Sequence, residues 1–261
     1  MKATVSCPYR CSFCAVKNKN TKFMRRSLSL LEQDMNTLKK IGKTNIIHFT
    51  DEAINVPLYD FKDMLRMMIR NQYGFKWYSF FRTEVIDEET VRLMKKSGCI
   101  GVLLGLESGN NSILERMNKN VTVTQLERAH YLLKEYGLNT IGFFIIGFPG
   151  ETTLTIQNTI DFINKLGPTF YRCHVWECDM DTEVWNKREQ YGLQIKNGLW
   201  THETMDQKQA RKLAKSMKQQ VKNSFSIDQA DFGFAMQLLC AGISVETIQQ
   251  IYRKIGMRLE E

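Results

Sequence analysis

The sequence predicts an α/β fold, a partial TIM-type (β/α)6 barrel with a helical C-terminal extension. Three observations predict it. Apolar strand-like runs alternate with amphipathic helical runs over residues 2–178, one helix separates successive strands in most units, and reactive residues gather where strands end. That order gives right-handed crossovers and a parallel sheet. Six such units fall short of a closed eight-unit barrel.

A short strand at residues 2–6 leads into CPYRCSFC (7–14). Ser29-Leu30-Leu31-Glu32 has the form of a capping box that opens a helix; Leu31, Met35, Leu38 and Ile41 then share one face, and Gly42 stops it. NIIHFT (45–50) is the second strand. Phe61, Met64, Leu65, Met68 and Ile69 mark the next helix, FKWYSFF (75–81) the third strand, and residues 88–97 the helix after it. CIGVLLGLE (99–107) is the fourth strand, followed by a helix opened by Thr124-Gln125-Leu126-Glu127 and by NTIGFFIIGF (139–148) as the fifth. A helix over 153–166, stopped by Gly167-Pro168, leads to the sixth strand, TFYRCHVWE (169–177). Past residue 178 the pattern changes to an irregular stretch containing NGLWTHETMD (197–206), then helical runs over 206–222, 227–240 and 245–255. Two regions result: the barrel, 1–178, and a helical cap or substrate-covering extension, 179–261.

At 261 residues the chain has room for a core that needs no disulfide staples. Its seven cysteines, an odd number, fit a reducing compartment better than a disulfide framework. No apolar run of about 18 residues and no basic-then-apolar leader stands out, so a cytoplasmic protein with no membrane span is expected. The 36 Lys+Arg against 28 Asp+Glu leave a net charge of +8, dispersed apart from Arg25-Arg26, Lys39-Lys40, Lys95-Lys96 and residues 208–222. Dispersed charge of this kind is usually a solvated surface and makes nucleic acid a weak expectation.

In α/β barrels the reactive groups sit at the carboxyl ends of strands. The cysteine loop follows the first strand, Asp51-Glu52 the second, Arg82 the third, Glu107-Ser108 the fourth, residues 147–151 the fifth and Glu177-Cys178 the sixth. All point to one mouth. Structural zinc usually joins two Cys-x-x-Cys hooks, and no second hook lies at a suitable distance. An iron–sulfur cubane can take three thiolates and leave one iron open.

Cys7-x-x-x-Cys11-x-x-Cys14, with Phe13 before the last cysteine, resembles the cluster loop of radical S-adenosylmethionine (SAM) enzymes. Thr50-Asp51-Glu52 lies where that family has its short acidic motif, and GLESG (105–109) and IIGFPGE (145–151) resemble the fourth- and fifth-strand motifs of the branch often fused to a cobalamin-binding domain. The resemblance implies that Cys7, Cys11 and Cys14 bind a 4Fe–4S cluster whose open iron is chelated by S-adenosylmethionine. It implies that Asp51 or Glu52 holds the cofactor's amino group, Arg82 its carboxylate, and Glu107 and Ser108 its ribose or amino-acid part. Phe13 would pack beside cluster or adenine, the main chain at Ile145 would edge the adenine, and Gly147 would let the cofactor approach the backbone. Phe143 stands where many members have glycine.

The implied activity is reductive cleavage of S-adenosylmethionine and hydrogen-atom abstraction from an unactivated C–H bond. The substrate is a small molecule, a nucleotide- or sugar-derived compound, or a peptide, and the electron donor is external, such as flavodoxin or ferredoxin. Cys178 is either a hydrogen-atom donor to the opposite face of the substrate or a small buried hydrophobe. Trp200, His202 and Thr204 either line the substrate pocket or pack as a tail strand. Cobalamin stays open, since only six residues precede Cys7. The alternatives are radical methylation with cobalamin from a missing domain or partner, tRNA modification, or a nucleic-acid-binding metalloprotein.

Overall fold

The computed structural model of the chain describes residues 1–16, 22–227 and 231–259, with side chains as far as residue 255. In order, the elements begin with β1 (Thr4–Val5), β2 (Met24–Arg25), α1 (Leu28–Ile41), β3 (Ile46–Phe49), α2 (Leu58–Arg70), β4 (Lys76–Phe81) and α3 (Glu88–Lys96). They continue with β5 (Cys99–Glu107), α4 (Asn111–Arg116), α5 (Val123–Glu135), β6 (Asn139–Ile146), α6 (Thr153–Leu166), β7 (Phe170–Val175) and α7 (Glu183–Asn186). The last are β8 (Gln194–Lys196), β9 (Leu199–His202), β10 (Met205–Asp206), α8 (Gln207–Gln220), β11 (Phe225–Ser226), α9 (Phe232–Cys240) and α10 (Val245–Leu259).

Six strands form one parallel sheet in the order β11-β7-β6-β5-β4-β3, an open partial barrel. Its membership differs from the expectation at both edges. The N-terminal segment runs beside β3 only at Met1, whose nitrogen donates to His48 O at 2.9 Å and whose carbonyl accepts from Thr50 N at 2.9 Å. Ala3 and Thr4 then give their N–H groups to the Asp51 carboxylate, and β1 pairs antiparallel with β2 instead. The sixth strand is β11, from beyond residue 178, which lies parallel to β7 after the crossover through α8. A two-residue strand has no periodicity to read.

Local signals set most helix ends, with two shifts. Ser27, not Ser29, caps α1 by accepting from Leu30 N at 3.4 Å, while Glu32 turns outward to Arg70 and Asn71. Thr122 caps α5 in a reciprocal box with Gln125, and Glu127 pairs with Lys165. The segment 194–206, expected to be irregular, is a three-stranded antiparallel sheet in the order β10-β9-β8. Of the predicted run 227–240, residues 228–230 lie outside the described residues, and helix α9 occupies its end.

Strand alternation divides the core. Outward-facing Phe49, Trp77, Leu104, Phe144 and Tyr171 belong to the large cluster beneath the helices. Inward-facing Tyr78, Leu103, Ile141 and Phe170 form a second cluster with Met236 and Leu239 of α9 and Ile248 and Tyr252 of α10. The C-terminal helices therefore plug the amino-end half of the concave face, which leaves the carboxyl half for a site.

Candidate functional site

The cysteine loop enters this carboxyl half. It is held there by Ser12, whose N–H donates to Met117 O at 2.9 Å and whose hydroxyl donates to Arg116 O at 3.1 Å, and by Asn118, which donates to Arg10 O at 2.7 Å. All three thiols, Cys7, Cys11 and Cys14, are half-buried and line one cavity of about 240 Å³. Tyr9, Phe13, Glu52, Phe80, Arg82, Glu107, Lys119 and Phe143 complete much of its wall. Among the described residues no three His, Cys, Asp or Glu side chains converge as a single-ion chelate. The thiols are instead separate donors around a shared space.

Burial pushes the Cys7 thiol up, opposed by the Tyr9 backbone N–H and the positive charge of Arg82. Burial likewise raises Cys14, opposed by the backbone N–H of Val16. Thiols so placed stay protonated until a metal centre displaces the proton.

Glu52 and Asp51, adjacent in sequence, have different surroundings. Asp51 is fully buried: its carboxylate accepts from Ala3 N, Thr4 N and the Thr4 hydroxyl, turned away from the cavity to pin the N-terminal segment. Glu52 lines the cavity, with Oε1 3.6 Å from Lys2 Nζ and with Oε2 buried and unpartnered among the described residues. A buried carboxylate oxygen without a donor is costly, so this atom suits a ligand that brings an N–H.

Arg82 and Lys119 are the cations of the cavity wall. Arg82 pairs with Glu84, donates to Lys119 O at 3.1 Å and to Cys11 Sγ at 3.6 Å, and lies 3.9 Å over the Tyr9 ring. Its fork is thus engaged within the protein while the side chain lines the cavity. Lys119 sits 2.9 Å from Glu107, the pair almost wholly buried. Gly105 makes room for that pair, because a Cβ there would meet Glu107 Oε1 and stand 3.0 Å from Lys119 Nζ.

The other predicted residues lie outside this cavity lining. Ser108 is buried behind it, its hydroxyl 3.3 Å from Thr159 and accepting from Asn110 N at 3.2 Å. Ile145 is half-buried beyond Phe143 on the same strand. Gly147 has φ +87°, and the approach its missing side chain permits is taken by Trp200, 2.6 Å from where a Cβ would stand. Trp200 and His202 pack as a tail strand: the indole donates to Trp176 O at 2.8 Å, and the imidazole contacts Gly147 O at 3.2 Å. Cys178 packs against the outer core, where burial pushes its thiol up to about 11. Sequence reasoning missed Lys119, Tyr9, Phe80 and Glu84. Lys119 lies in the loop between α4 and α5, with no local pattern to single it out.

The model of the radical SAM superfamily matches residues 1–163. Among curated proteins, the chain is 30% identical over 161 residues to an uncharacterized methyltransferase of Pyrococcus horikoshii, covering 61% of this chain and 35% of that protein. It is 29% identical over 164 residues to the anaerobic magnesium-protoporphyrin IX monomethyl ester cyclase of Rubrivivax gelatinosus, covering 62% and 30%. Against the tryptophan 2-C-methyltransferase of Streptomyces laurentii it is 26% identical over 178 residues, with the same coverage of 62% and 30%. The chain spans about a third of the length of these relatives. The radical S-adenosylmethionine methyltransferase TsrM of Kitasatospora setae, solved with cobalamin and a 4Fe–4S cluster, superposes with a TM-score of 0.66 at 24% identity, covering 76% of this chain and 41% of that one. The cobalamin-dependent radical enzyme OxsB gives 0.55 at 18%, covering 73% and 30%. These likenesses show the fold. With the family's model matching well over half of its residues, the chain belongs to the radical SAM superfamily, whose members use a 4Fe–4S cluster and S-adenosylmethionine.

Proposed function

We propose that this radical SAM enzyme holds its cluster on Cys7, Cys11 and Cys14 and binds S-adenosylmethionine against Glu52 and Lys119. The observation that carries the reading is the convergence of three thiols, an unpartnered buried carboxylate oxygen and two cations on one cavity of about 240 Å³. The donor set fits: three soft donors on one loop, with no fourth cysteine among the described lining residues, match a cluster that keeps one iron open. When bound, the pair supplies one-electron reductive cleavage of the sulfonium and a 5'-deoxyadenosyl radical that takes hydrogen from an unactivated C–H bond.

The chain's own residues bind, orient and exclude water. Glu52 Oε2 accepts from the cofactor's ammonium, and Lys119, on the same wall, offers its charge to the carboxylate. Glu107 keeps Lys119 in place, and Arg82 balances negative charge beside Cys11. Phe13, Phe80 and Phe143 make the remaining wall apolar, which keeps water from a reactive radical. An external one-electron donor such as flavodoxin or ferredoxin completes the cycle.

A second reading is radical methylation, with cobalamin held by another domain or partner. Its support is that two of the relatives above are named methyltransferases, that TsrM and OxsB use cobalamin, and that the chain spans about a third of its curated relatives. The test is anaerobic reconstitution with iron and sulfide, reduction, and quantification of 5'-deoxyadenosine after adding S-adenosylmethionine, with C11A as control. Cleavage that disappears in C11A is the expected result. A chain that takes up zinc but assembles no cluster would overturn both readings.

A further inference from the structure

The concave face of the sheet carries a second set of groups next to the cysteine cavity. Phe170 of β7 belongs to the inner cluster and Tyr171 to the outer core, so alternation puts Arg172 and His174 on the inner face. Their register partners on β6 are Phe143 and Ile145. Phe143 itself lines the cysteine cavity, so Arg172 stands one strand away from that wall.

Arg172 is half-buried and His174 exposed, and neither side chain has a hydrogen bond, ion pair or ring partner among the described residues. The other two cations of this region differ: Arg82 is paired with Glu84 and Lys119 with Glu107. A half-buried arginine with no counter-charge beside it has a guanidinium uncommitted within the protein. Its planar fork of donors belongs to a residue on the inner face of the sheet. Beside it, Phe80, Phe143 and Phe232 form an aromatic floor, with ring centroids 5.5, 5.9 and 5.4 Å apart in the pairs 80–143, 80–232 and 143–232. Phe232 comes from α9, so the C-terminal extension contributes to the floor of the site.

We propose that Arg172, with His174 beside it, binds an oxyanion of the substrate, a carboxylate or a phosphate, while an apolar part of the substrate rests on the Phe80–Phe143–Phe232 floor. The proposal rests on the reading that the adjoining cavity holds the cofactor. The guanidinium supplies two parallel N–H donors to a planar or tetrahedral oxyanion, and the imidazole supplies one more. A body with an aromatic or aliphatic face and one anionic end matches this surface. Neutral sugars and cationic peptides do not.

The experiment is equilibrium binding of two probes, phenyl phosphate and benzoate, to the anaerobically reconstituted protein, followed by ligand-observed NMR titration. At least one probe is expected to bind wild type, to weaken about tenfold or more in R172M, and to weaken less in R172K, which keeps the charge but loses the fork. K212M, which removes an exposed charge of α8, leaves the affinity unchanged. Preference for phenyl phosphate assigns a phosphate-bearing substrate, and preference for benzoate a carboxylate. No binding to wild type, or equal binding to wild type and R172M, overturns the proposal. The titration does not pass through cofactor cleavage, so it can fail while 5'-deoxyadenosine still forms.

Discussion

Arg82 Nη1 lies 3.6 Å from the Cys11 sulfur, while the same guanidinium pairs with Glu84 and covers the Tyr9 ring at 3.9 Å. One side chain thus ties the end of β4 to the cysteine loop. Both members of the Arg82–Glu84 pair are close to fully buried, so removing one leaves the other's charge uncompensated. R82M is expected to destabilise the protein by about 3 kcal/mol in urea denaturation. R82M/E84Q should recover much of that loss, because the orphaned charge is gone. An additive double variant would show that the two side chains are not coupled.

The cofactor contacts make a separate prediction. E52Q and K119M are each expected to raise the dissociation constant of S-adenosylmethionine about tenfold, the worth of one charge-assisted hydrogen bond. D51N should act mainly on stability, since Asp51 holds Ala3 and Thr4 and does not line the cavity. Equilibrium dialysis beside thermal melting separates the two effects.

Gly147 is required by its surroundings. Its φ of +87° disfavours any L side chain, and a Cβ would come within 2.6 Å of Trp200 and 2.7 Å of Ala210. G147A is expected to cost about 3 kcal/mol by strain and overpacking together, read as a lower denaturation midpoint.

Stability should fall as pH rises from about 5 to about 8 because of Glu151. Burial pushes its carboxyl up to about 8, opposed by the Gly147 and Phe148 N–H groups that donate to Oε2. The folded state therefore binds a proton that the unfolded chain releases near its ordinary value, and the stabilisation present below that value is lost as pH rises through about 8. The wild-type melting temperature should decline between roughly pH 5 and 8, and E151Q should flatten that decline.

The acid side has the opposite sign. His130 is buried with Nε2 donating to Leu166 O at 3.0 Å and Nδ1 facing the Thr140 hydroxyl at 3.4 Å, and burial lowers it to about 4. The folded state excludes the proton that the unfolded imidazole takes up, so this contribution is present above the ordinary histidine value and is lost as pH falls toward 4. H130Q should reduce the loss of stability between roughly pH 6.5 and 4. An unchanged acid limb would assign that limb to other groups.

The sequence by itself determined the alternation of strands and helices, the span of β5, the helix 153–166 with its Gly167 stop, and the three cysteines with their loop. These are consequences of side-chain period and capping, which act over a few residues. Tertiary structure decided what depends on distant segments meeting. Asp51 and Glu52 have the same chemistry in sequence, and only the path of Ala3 and Thr4 sends one inward and leaves the other in the cavity. Lys119 enters the cavity because the loop after α4 is stapled to the cysteine loop, and β11 joins the sheet because α8 returns it to β7. Hydrogen bonds between residues about 50 to 110 positions apart carry no signal in either local stretch, so those placements appear only when the chain is folded.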